Sequence, residues 1–305
     1  MAMSRGSVSV SVGVAVAVFL TAAGISRPAR GVAPAGAAHE RRVLDGPWSF
    51  HRVTPRKDPP EPWLPATVPG CVHTDLFANG KIGDPFYRLN EKDQQWIDRE
   101  SWEYRTILRA DAALLSHARV ELVFAGLDTF AEVFVNGQTV LFADNMFRSW
   151  RADVKARLRA GDNVIVVRFR SPIEQVQGAY RALGYRLPAA NDQSAEMVSM
   201  WARKAPYHYG WDWGPRFVTS GIWRPVTLET WSEARIDDVQ IFQNRLDGAA
   251  ADLTVKVRIA AASAARARLA VRVAGGAVLA QTDVDVPAGV HDWALPVRIE
   301  RPELW

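Results

Sequence analysis

The stretch Phe130-Ala131-Glu132-Val133-Phe134-Val135-Asn136-Gly137-Gln138-Thr139-Val140-Leu141-Phe142 decides the fold class. Its two arms are rich in valine and phenylalanine, residue types that favour β-strands. Asn136 and Gly137 join the arms, and Asn-Gly supplies the two residues of positive φ that a type I′ turn requires. The stretch therefore predicts a β-hairpin with a two-residue turn.

Short apolar runs between turn residues continue on both sides of this hairpin. Further strands are expected at residues 44–53, 102–108, 120–124, 164–169 and 223–231. Helix is expected only within residues 75–80 and 172–200, and the proline-rich residues 55–69 predict an ordered surface crossing. The pattern predicts an all-β domain over residues 39–232.

Residue usage changes after Trp231, where tryptophan becomes rare and alanine and valine dominate. Five further strands are predicted, at residues 239–242, 253–259, 267–273, 278–286 and 293–299. An immunoglobulin-like sandwich needs about seven strands and about 100 residues. Residues 233–305 therefore predict a second, incomplete β-sandwich of this kind, and we expect the chain to be the N-terminal piece of a longer protein.

Residues 1–38 have the order of an export signal. Arg5 lies in a short basic region, an apolar run covers residues 8–23, and Ala35-Gly36-Ala37 is a small-residue cleavage motif. The apolar run is shorter than the roughly 20 residues needed to cross a bilayer. We expect cleavage and a secreted or periplasmic protein; an uncleaved N-terminal anchor is the alternative.

Charge limits the classes of partner that the chain can bind, and cysteine content limits the disulfides it can form. It has 305 residues, of which 48% are hydrophobic, and a formal net charge of +4. Three arginines before residue 38 supply most of that excess, and no basic run is long enough to neutralise many phosphates. We therefore expect no nucleic-acid partner, and no membrane contact after signal cleavage. Cys71 is the only cysteine, so no intrachain disulfide can form.

Residues 207–216, Tyr-His-Tyr-Gly-Trp-Asp-Trp-Gly-Pro-Arg, have the composition of a binding site, and we call them the signature loop. An indole packs on the apolar C–H face of a pyranose, and a carboxylate accepts hydrogen bonds from vicinal hydroxyls. If the stretch is extended, Trp211 and Trp213 share one face and Asp212 lies on the other. The alternative is that the tryptophans are core anchors of a sandwich and Asp212 is a turn residue.

Motifs for the common catalytic chemistries are absent from the sequence. There is no Walker A loop, Rossmann glycine fingerprint, Gly-x-Ser-x-Gly elbow or His-Glu-x-x-His. The six histidines lack metal-ligand spacing, so no metal or cofactor is expected. Asn90-Glu91 is the dipeptide that carries the acid/base in many glycosidases, but there it ends a barrel strand. Here it lies in a predicted loop, so Glu91 is assigned no acid role.

Several motifs, in order along the chain, resemble the N-terminal part of β-mannosidases of the glycoside hydrolase family that also contains β-galactosidases and β-glucuronidases. Phe-Ala-Gly-Leu-Asp-Thr at 124–129 and Val-Asn-Gly at 135–137 are shared across that wider family. The motifs typical of β-mannosidases lie at 68–76 (Val-Pro-Gly-Cys-Val-His-Thr-Asp-Leu), 84–91 (Asp-Pro-Phe-Tyr-Arg-Leu-Asn-Glu), 209–215 (Tyr-Gly-Trp-Asp-Trp-Gly-Pro) and 221–225 (Gly-Ile-Trp-Arg-Pro). The resemblance covers residues 43–305.

This resemblance implies a jelly-roll, galactose-binding-like domain, then an immunoglobulin-like domain, and then a (β/α)₈ barrel. In the family both catalytic glutamates lie on the barrel, which this sequence lacks, so no catalytic residue is assigned here. The parent enzyme would hydrolyse terminal non-reducing β-D-mannose from β-mannoside oligosaccharides with retention. The 305 residues alone would be inactive without a carboxylate pair, and the implied partner is the protein's own C-terminal barrel.

Substrate contacts are also implied for this part of the family fold. Asp212 is the expected hydroxyl acceptor, and Trp211 is the expected wall of the sugar pocket. Asn90 lies where related galactosidases place a sugar-contacting asparagine, and Trp96 and His73 are weaker candidates. Two other functions stay open: a secreted carbohydrate-binding or adhesion module without catalysis, and another activity of the family, namely galactosidase, glucuronidase or exo-glucosaminidase.

Overall fold

A computed structural model describes residues 16–22, 39–53, 61–192, 194–273 and 277–303. Its strands, numbered in chain order, are β1 Val16–Ala22, β2 Glu40–Val43, β3 Trp48–Val53, β4 Leu64–Ala66, β5 Ser101–Ala110, β6 Arg119–Phe124, β7 Ala131–Val135, β8 Gln138–Ala143, β9 Trp150–Asp153, β10 Gly161–Phe169, β11 Val226–Trp231, β12 Ala234–Leu246, β13 Ala250–Ala261, β14 Ala265–Val273, β15 Val278–Val286 and β16 Gly289–Glu300. Its α-helices are α1 Val72–Ala78, α2 Asn90–Asp93, α3 Ala112–Ser116 and α4 Gln177–Leu183. Short 3₁₀ helices cover Ile97–Arg99, Lys155–Arg157, Glu174–Val176, Ser199–Trp201 and Pro206–Tyr209. The all-β prediction is confirmed.

Contacts divide the chain into two compact units. The first unit is Glu40–Thr230, and the second combines residues 231–305 with the described part of residues 1–39. Each unit has a buried apolar core of its own. The predicted domain ranges, 39–232 and 233–305, stay a prediction.

Two sheets form the β-sandwich of the first unit, with strand orders β4-β3-β5-β10-β7-β8 and β2-β11-β6-β9. The hairpin prediction is confirmed, since β7 and β8 pair through Val135 and Gln138. Asn136 and Gly137 have φ of 51° and 78°, as a type I′ turn requires. Burial alternates along β5 and β10, so one face of the sheet packs on the core.

The strand predicted at residues 44–53 is shorter in the structure, because β3 begins only at Trp48, and a separate strand, β2, precedes it at Glu40–Val43. β2 pairs with β11 in one sheet, whereas β3 pairs with β4 and β5 in the other. Residues 44–47 carry the chain between the sheets, and the Leu44 N–H donates to the Val226 carbonyl at 2.8 Å. Pro47 has no N–H to offer a strand ladder, which explains the break.

The other strand predictions for the first unit agree with the described structure. The strands predicted at 102–108, 120–124 and 164–169 are β5, β6 and β10. The final predicted strand begins at Val226, directly after Pro225, instead of at residue 223. The helix prediction was incomplete: α1 overlaps residues 75–80 and α4 lies within residues 172–200, but α2 and α3 were not predicted. β4 lies in the proline-rich crossing, of which residues 55–60 are outside the described residues.

The second unit also has two sheets, with strand orders β12-β13-β16 and β1-β14-β15. All five strands predicted after residue 232 are present as β12 to β16, and β12 is longer than predicted. Apolar side chains such as Val255, Val257 and Leu269 are fully buried in its core. A further β-sandwich therefore follows the first, while its immunoglobulin-like type and its incompleteness stay predictions.

Strand β1 falls inside the predicted export signal. It pairs antiparallel with β14, from Val16 opposite Val273 to Ala22 opposite Ala267. The backbone of an apolar segment can extend an open sheet edge in this way. The rest of residues 1–38 lies outside the described residues, and the export signal stays a prediction. No described helix has the length and hydropathy of a membrane span.

Candidate functional site

The signature loop is a compact turn in the structure. The 3₁₀ helix Pro206–Tyr209 leads into it, and Gly210 follows with φ of 108°, a conformation that favours glycine. The Trp211 N–H donates to the Gly214 carbonyl at 3.2 Å, and the Gly214 N–H donates back to Trp211 at 3.4 Å. These bonds close the loop on itself, so residues 211–214 are not extended and the condition for alternating faces is not met.

Both indoles of the signature loop are exposed. Trp211 is 40% exposed and Trp213 is 77% exposed, and their ring centroids lie 6.0 Å apart at an interplanar angle of 45°. Tyr209, in contrast, is fully buried. The interpretation of the tryptophans as core anchors is wrong, and Tyr209 is the ring that anchors the loop.

Asp212 lies between the two indoles and is exposed. No hydrogen bond or ion pair engages its carboxylate within the described part of the chain. An ionised carboxylate has acceptor positions on both oxygens. The tip of the loop therefore presents two ring surfaces and an available acceptor, which is what a pyranose requires of a binding wall.

Asn90 and Trp96 lie in the neighbouring segment that contains α2 and the 3₁₀ helix after it. The Asn90 side-chain amide donates to the Asp84 carbonyl at 2.8 Å, within its own loop. The Trp96 ring lies 6.1 Å from the Trp102 ring, and the Arg52 guanidinium lies 5.5 Å from its centroid. Both side chains thus contribute to packing of this segment, and their roles in sugar contact stay predictions.

Arg216 joins the signature loop to that neighbouring segment. Its backbone N–H donates to Glu91 Oε1 at 2.7 Å, and its carbonyl accepts from Gln95 Nε2 at 2.9 Å. Its guanidinium donates to Asp98 Oδ2 at 2.5 Å and also to Gln95 Oε1. Glu91 therefore holds a backbone N–H in place, and its lack of an acid role stays a prediction.

A cleft of about 350 Å³ lies beside this junction. Burial raises the pKa of Asp98, and the charge and hydrogen bond of Arg216 oppose that shift. Asp98 Oδ1 and Arg216 Nε are buried without hydrogen bonds. The two side chains nevertheless form an ion pair through Arg216 Nη1 and Asp98 Oδ2 at 2.5 Å, which joins the two segments.

Two histidines, His208 in the signature loop and His73 in helix α1, are largely shielded from solvent. His73 is buried with its ring edge against Phe217, 5.5 Å between centroids, and His208 Nδ1 lies 3.3 Å from Thr219 Oγ1. Burial, reinforced by the nearby Lys204 ammonium, lowers the pKa of each imidazole to about 4. Both rings are therefore neutral above mildly acidic pH.

Sequence reasoning missed the role of Arg216 and the exposure of Trp213. Arg216 bonds to groups more than 100 residues away in the chain, and no local pattern reports such contacts. Its position directly after the aromatic run was the available signal. Within the described ranges, no group of three His, Cys, Asp or Glu side chains could hold a metal ion.

Comparison with known proteins agrees with this architecture. The family model "Glycosyl hydrolase 2 galactose-binding domain-like" matches residues 48–224. A β-mannosidase B of Aspergillus flavus is 38% identical over 206 residues, which is 67% of this chain and 24% of that protein. The β-mannosidase of Bos taurus is 36% identical over 68% of this chain and 24% of its own length.

Solved structures show the same relationship. A crystal structure of β-D-mannosidase from Dictyoglomus thermophilum matches with a TM-score of 0.75 and 35% identity, covering 87% of this chain and 32% of that one. The chain thus spans about a quarter of the length of the curated relatives it matches. It corresponds to the N-terminal region of a β-mannosidase-like protein, and it belongs to the glycosyl hydrolase 2 galactose-binding domain-like family.

Proposed function

We propose that the first unit supplies part of the sugar-binding wall of an exported β-mannosidase. The enzyme hydrolyses terminal non-reducing β-D-mannose from β-mannoside oligosaccharides and retains the anomeric configuration. One observation carries the proposal: Trp211, Asp212 and Trp213 lie together at the exposed tip of a tight turn. Similarity to β-mannosidases selects mannose among the possible sugars.

The chemistry of the wall follows from the side chains at the tip. Asp212 accepts hydrogen bonds from two sugar hydroxyls, and each bond to an ionised group contributes about 1.5–3 kcal/mol. An indole packs on the C–H face and excludes water from these bonds. Contacts that strengthen as the ring distorts toward the transition state raise kcat as well as affinity.

The bond-breaking groups belong to another part of the protein in this proposal. A retaining mechanism needs two carboxyl groups about 5–5.5 Å apart, one as acid/base and one as nucleophile. The chain spans 24% of the length of its fungal and bovine relatives. We place the two glutamates on a (β/α)₈ barrel outside these 305 residues, so the chain alone hydrolyses nothing.

The test compares the polypeptide encoded by the complete reading frame with the 305-residue chain. Both are incubated with nitrophenyl glycosides of β-mannose, β-galactose, β-glucuronate and β-glucosamine, and proton NMR follows the first anomer released. The complete polypeptide should prefer β-mannoside and release β-mannose first, whereas the chain alone should be inactive. Faster hydrolysis of another glycoside, or release of α-mannose first, would overturn the specificity or the retention.

A carbohydrate-binding module without catalysis is the second candidate. The exposed tip favours it as well, because two rings and a carboxylate bind sugar without any catalytic group. Calorimetry with β-1,4-mannooligosaccharides separates the two functions. Binding by a complete polypeptide that hydrolyses none of the four glycosides supports the module, and hydrolysis of β-mannoside excludes it.

A further inference from the structure

A buried ion pair closes the base of the loop that carries the signature residues. This longer loop covers residues 205–218 and contains the signature loop, so Lys204 directly precedes it and Thr219 directly follows it. Lys204 Nζ donates to both carboxylate oxygens of Asp128 at 2.5 Å and to the Thr219 carbonyl at 2.7 Å. One ammonium group thus connects the two stems of the loop to each other and to the sandwich.

Because the ion pair is buried, its charges and protons must be satisfied by groups of the protein. The Lys204 side chain has no exposed surface, and the Asp128 side chain is 3% exposed. A buried ammonium needs a partner for its charge and an acceptor for each of its three protons. The two Asp128 oxygens and the Thr219 carbonyl supply them, so any change in the spacing of the two stems breaks a bond.

Hydrogen bonds fix both the backbone and the carboxylate of Asp128. Its backbone N–H and carbonyl form a reciprocal pair of 2.9 Å hydrogen bonds with Gly221. Its carboxylate also accepts from Thr219 Oγ1 at 2.7 Å and from Thr129 Oγ1 at 2.5 Å. The carboxylate is therefore a fixed reference point between β6 and β7 to which the loop base is attached.

We propose that Lys204 and Asp128 are positioning residues that set the location of Trp211 and Asp212 relative to the sugar. This inference rests on the proposed function, because a positioned wall matters only if a sugar binds it. A buried ion pair adds little net stability over apolar side chains of the same volume, but it fixes donor–acceptor geometry. A shift of about 1 Å in a substrate contact can cost on the order of 100-fold in rate, so the loop base controls activity from a distance.

We call the contacts of Lys204 with Asp128 and Thr219 the clasp. Hydrogen exchange of the complete protein tests directly whether the clasp holds the loop. Lys204→Met should accelerate amide exchange by about tenfold in residues 205–218 and leave β5 and β10 protected, because the loop opens locally. Arg151→Met is the matched control, since Arg151 bonds to Glu121 and Glu229 at 2.8 and 2.6 Å in the same unit. The control should leave exchange of residues 205–218 unchanged. Equal loop exchange in wild type and Lys204→Met would overturn the clasp.

A double-mutant cycle in kcat/KM then tests the link to the sugar. Lys204→Met should lower kcat/KM for aryl β-mannoside about tenfold or more in the wild-type background and by less than about threefold with Asp212→Ala, since the Asp212 contact is then already lost and only the position of Trp211 can still change. Additive losses would show that Lys204 acts through stability alone and would overturn the positioning role. If the complete protein has no activity on β-mannosides, the proposed function fails, and the exchange result still decides whether the clasp exists.

A second variant covers the case in which Lys204→Met does not fold. Asp128→Asn combined with Lys204→Gln removes both charges and keeps hydrogen-bonding atoms at both positions. It should show the same acceleration limited to residues 205–218. Wild-type exchange rates in this folded pair would contradict the proposal, because the charges would then be unnecessary for loop position.

Discussion

Burial decides what a charged side chain can do at the scale of the residue. Asp212 is exposed and, among the described residues, unbonded, so its oxygens are available to a ligand. Asp128 has the same functional group but is buried and satisfied by Lys204, Thr129 and Thr219, so it can only hold structure. The two aspartates differ in surroundings that are built from residues distant in sequence.

The two buried histidines predict a pH dependence of stability. Burial, with the Lys204 charge, lowers the pKa of His73 and His208 to about 4, and the Asp128 carboxylate opposes this shift. The ordinary pKa of 6.5 applies to the unfolded chain, which therefore takes up protons first as pH falls. Their stabilisation is complete above about pH 6.5, is lost between about 6.5 and 4, and is constant below, with an upper limit on the order of 3 kcal/mol per histidine.

Urea unfolding at several pH values between 7.5 and 4 measures this effect. His208→Gln removes one titrating ring, so its free energy of unfolding should fall less steeply below pH 6.5 than that of the wild type. Gln175→Ala, at an exposed side chain that does not titrate, is the control and should leave the slope unchanged. An identical slope in wild type and His208→Gln would show that His208 titrates normally.

Residue type and order were enough to single out part of the candidate site. The aromatic and acidic composition of residues 207–216 marked Trp211 and Asp212 as candidates, and both are exposed in the structure, while their contact with a sugar stays a prediction. The packing of Asn90 and Trp96 could not be predicted, since it depends on Asp84 and on the ring of Trp102. Lys204 carries no local signal, because its partner Asp128 lies 76 residues away.

At the scale of the element, backbone conformation separates two exposed glycines. Gly137 has φ of 78° in the β7–β8 turn, whereas Gly178 lies in helix α4, and an added Cβ meets nothing within 4 Å at either position. Gly137→Ala should therefore lower the free energy of unfolding by about 1 kcal/mol through backbone strain alone. Gly178→Ala should raise it by about 0.5–1 kcal/mol, since alanine favours helix.

Chemical denaturation of the two single variants measures both shifts against the wild type. Opposite signs are the expected result. If both substitutions lower the free energy of unfolding equally, the positive φ of the turn does not explain the loss. Replacement of glycine would then be destabilising at either position.

Turn chemistry explains which elements could be predicted. Asn136-Gly137 specifies its hairpin locally, so the sequence pattern was sufficient. The strand predicted at residues 44–53 begins only at Trp48 in the structure. Pro47 cannot donate to a strand ladder, and residues 44–47 carry the chain from the sheet of β2 to the sheet of β3. The signature loop alternates like a strand, but Gly210 and the Trp211–Gly214 bonds turn it into a closed tip.

At the scale of the whole molecule, family membership and activity rest on different evidence. The β-sandwich of residues 48–224 establishes the family. In the proposed function, activity depends on two glutamates outside these 305 residues. The chain spans 24% of the length of its fungal and bovine relatives. In the proposed function, the first unit holds a sugar against those glutamates, and Asp212 accepts hydrogen bonds from its hydroxyls.

The most direct test of this account is kcat/KM of the complete protein for an aryl β-mannoside after Asp212→Ala. Loss of both hydrogen bonds to sugar hydroxyls should cost about 3–6 kcal/mol of transition-state stabilisation, which lowers kcat/KM by roughly 150-fold or more, with an unchanged unfolding midpoint. Asp162→Ala, at an exposed aspartate near the start of β10, is the control and should change neither. A kcat/KM for Asp212→Ala within about twofold of wild type would contradict the account, because Asp212 would then have no part in holding the sugar.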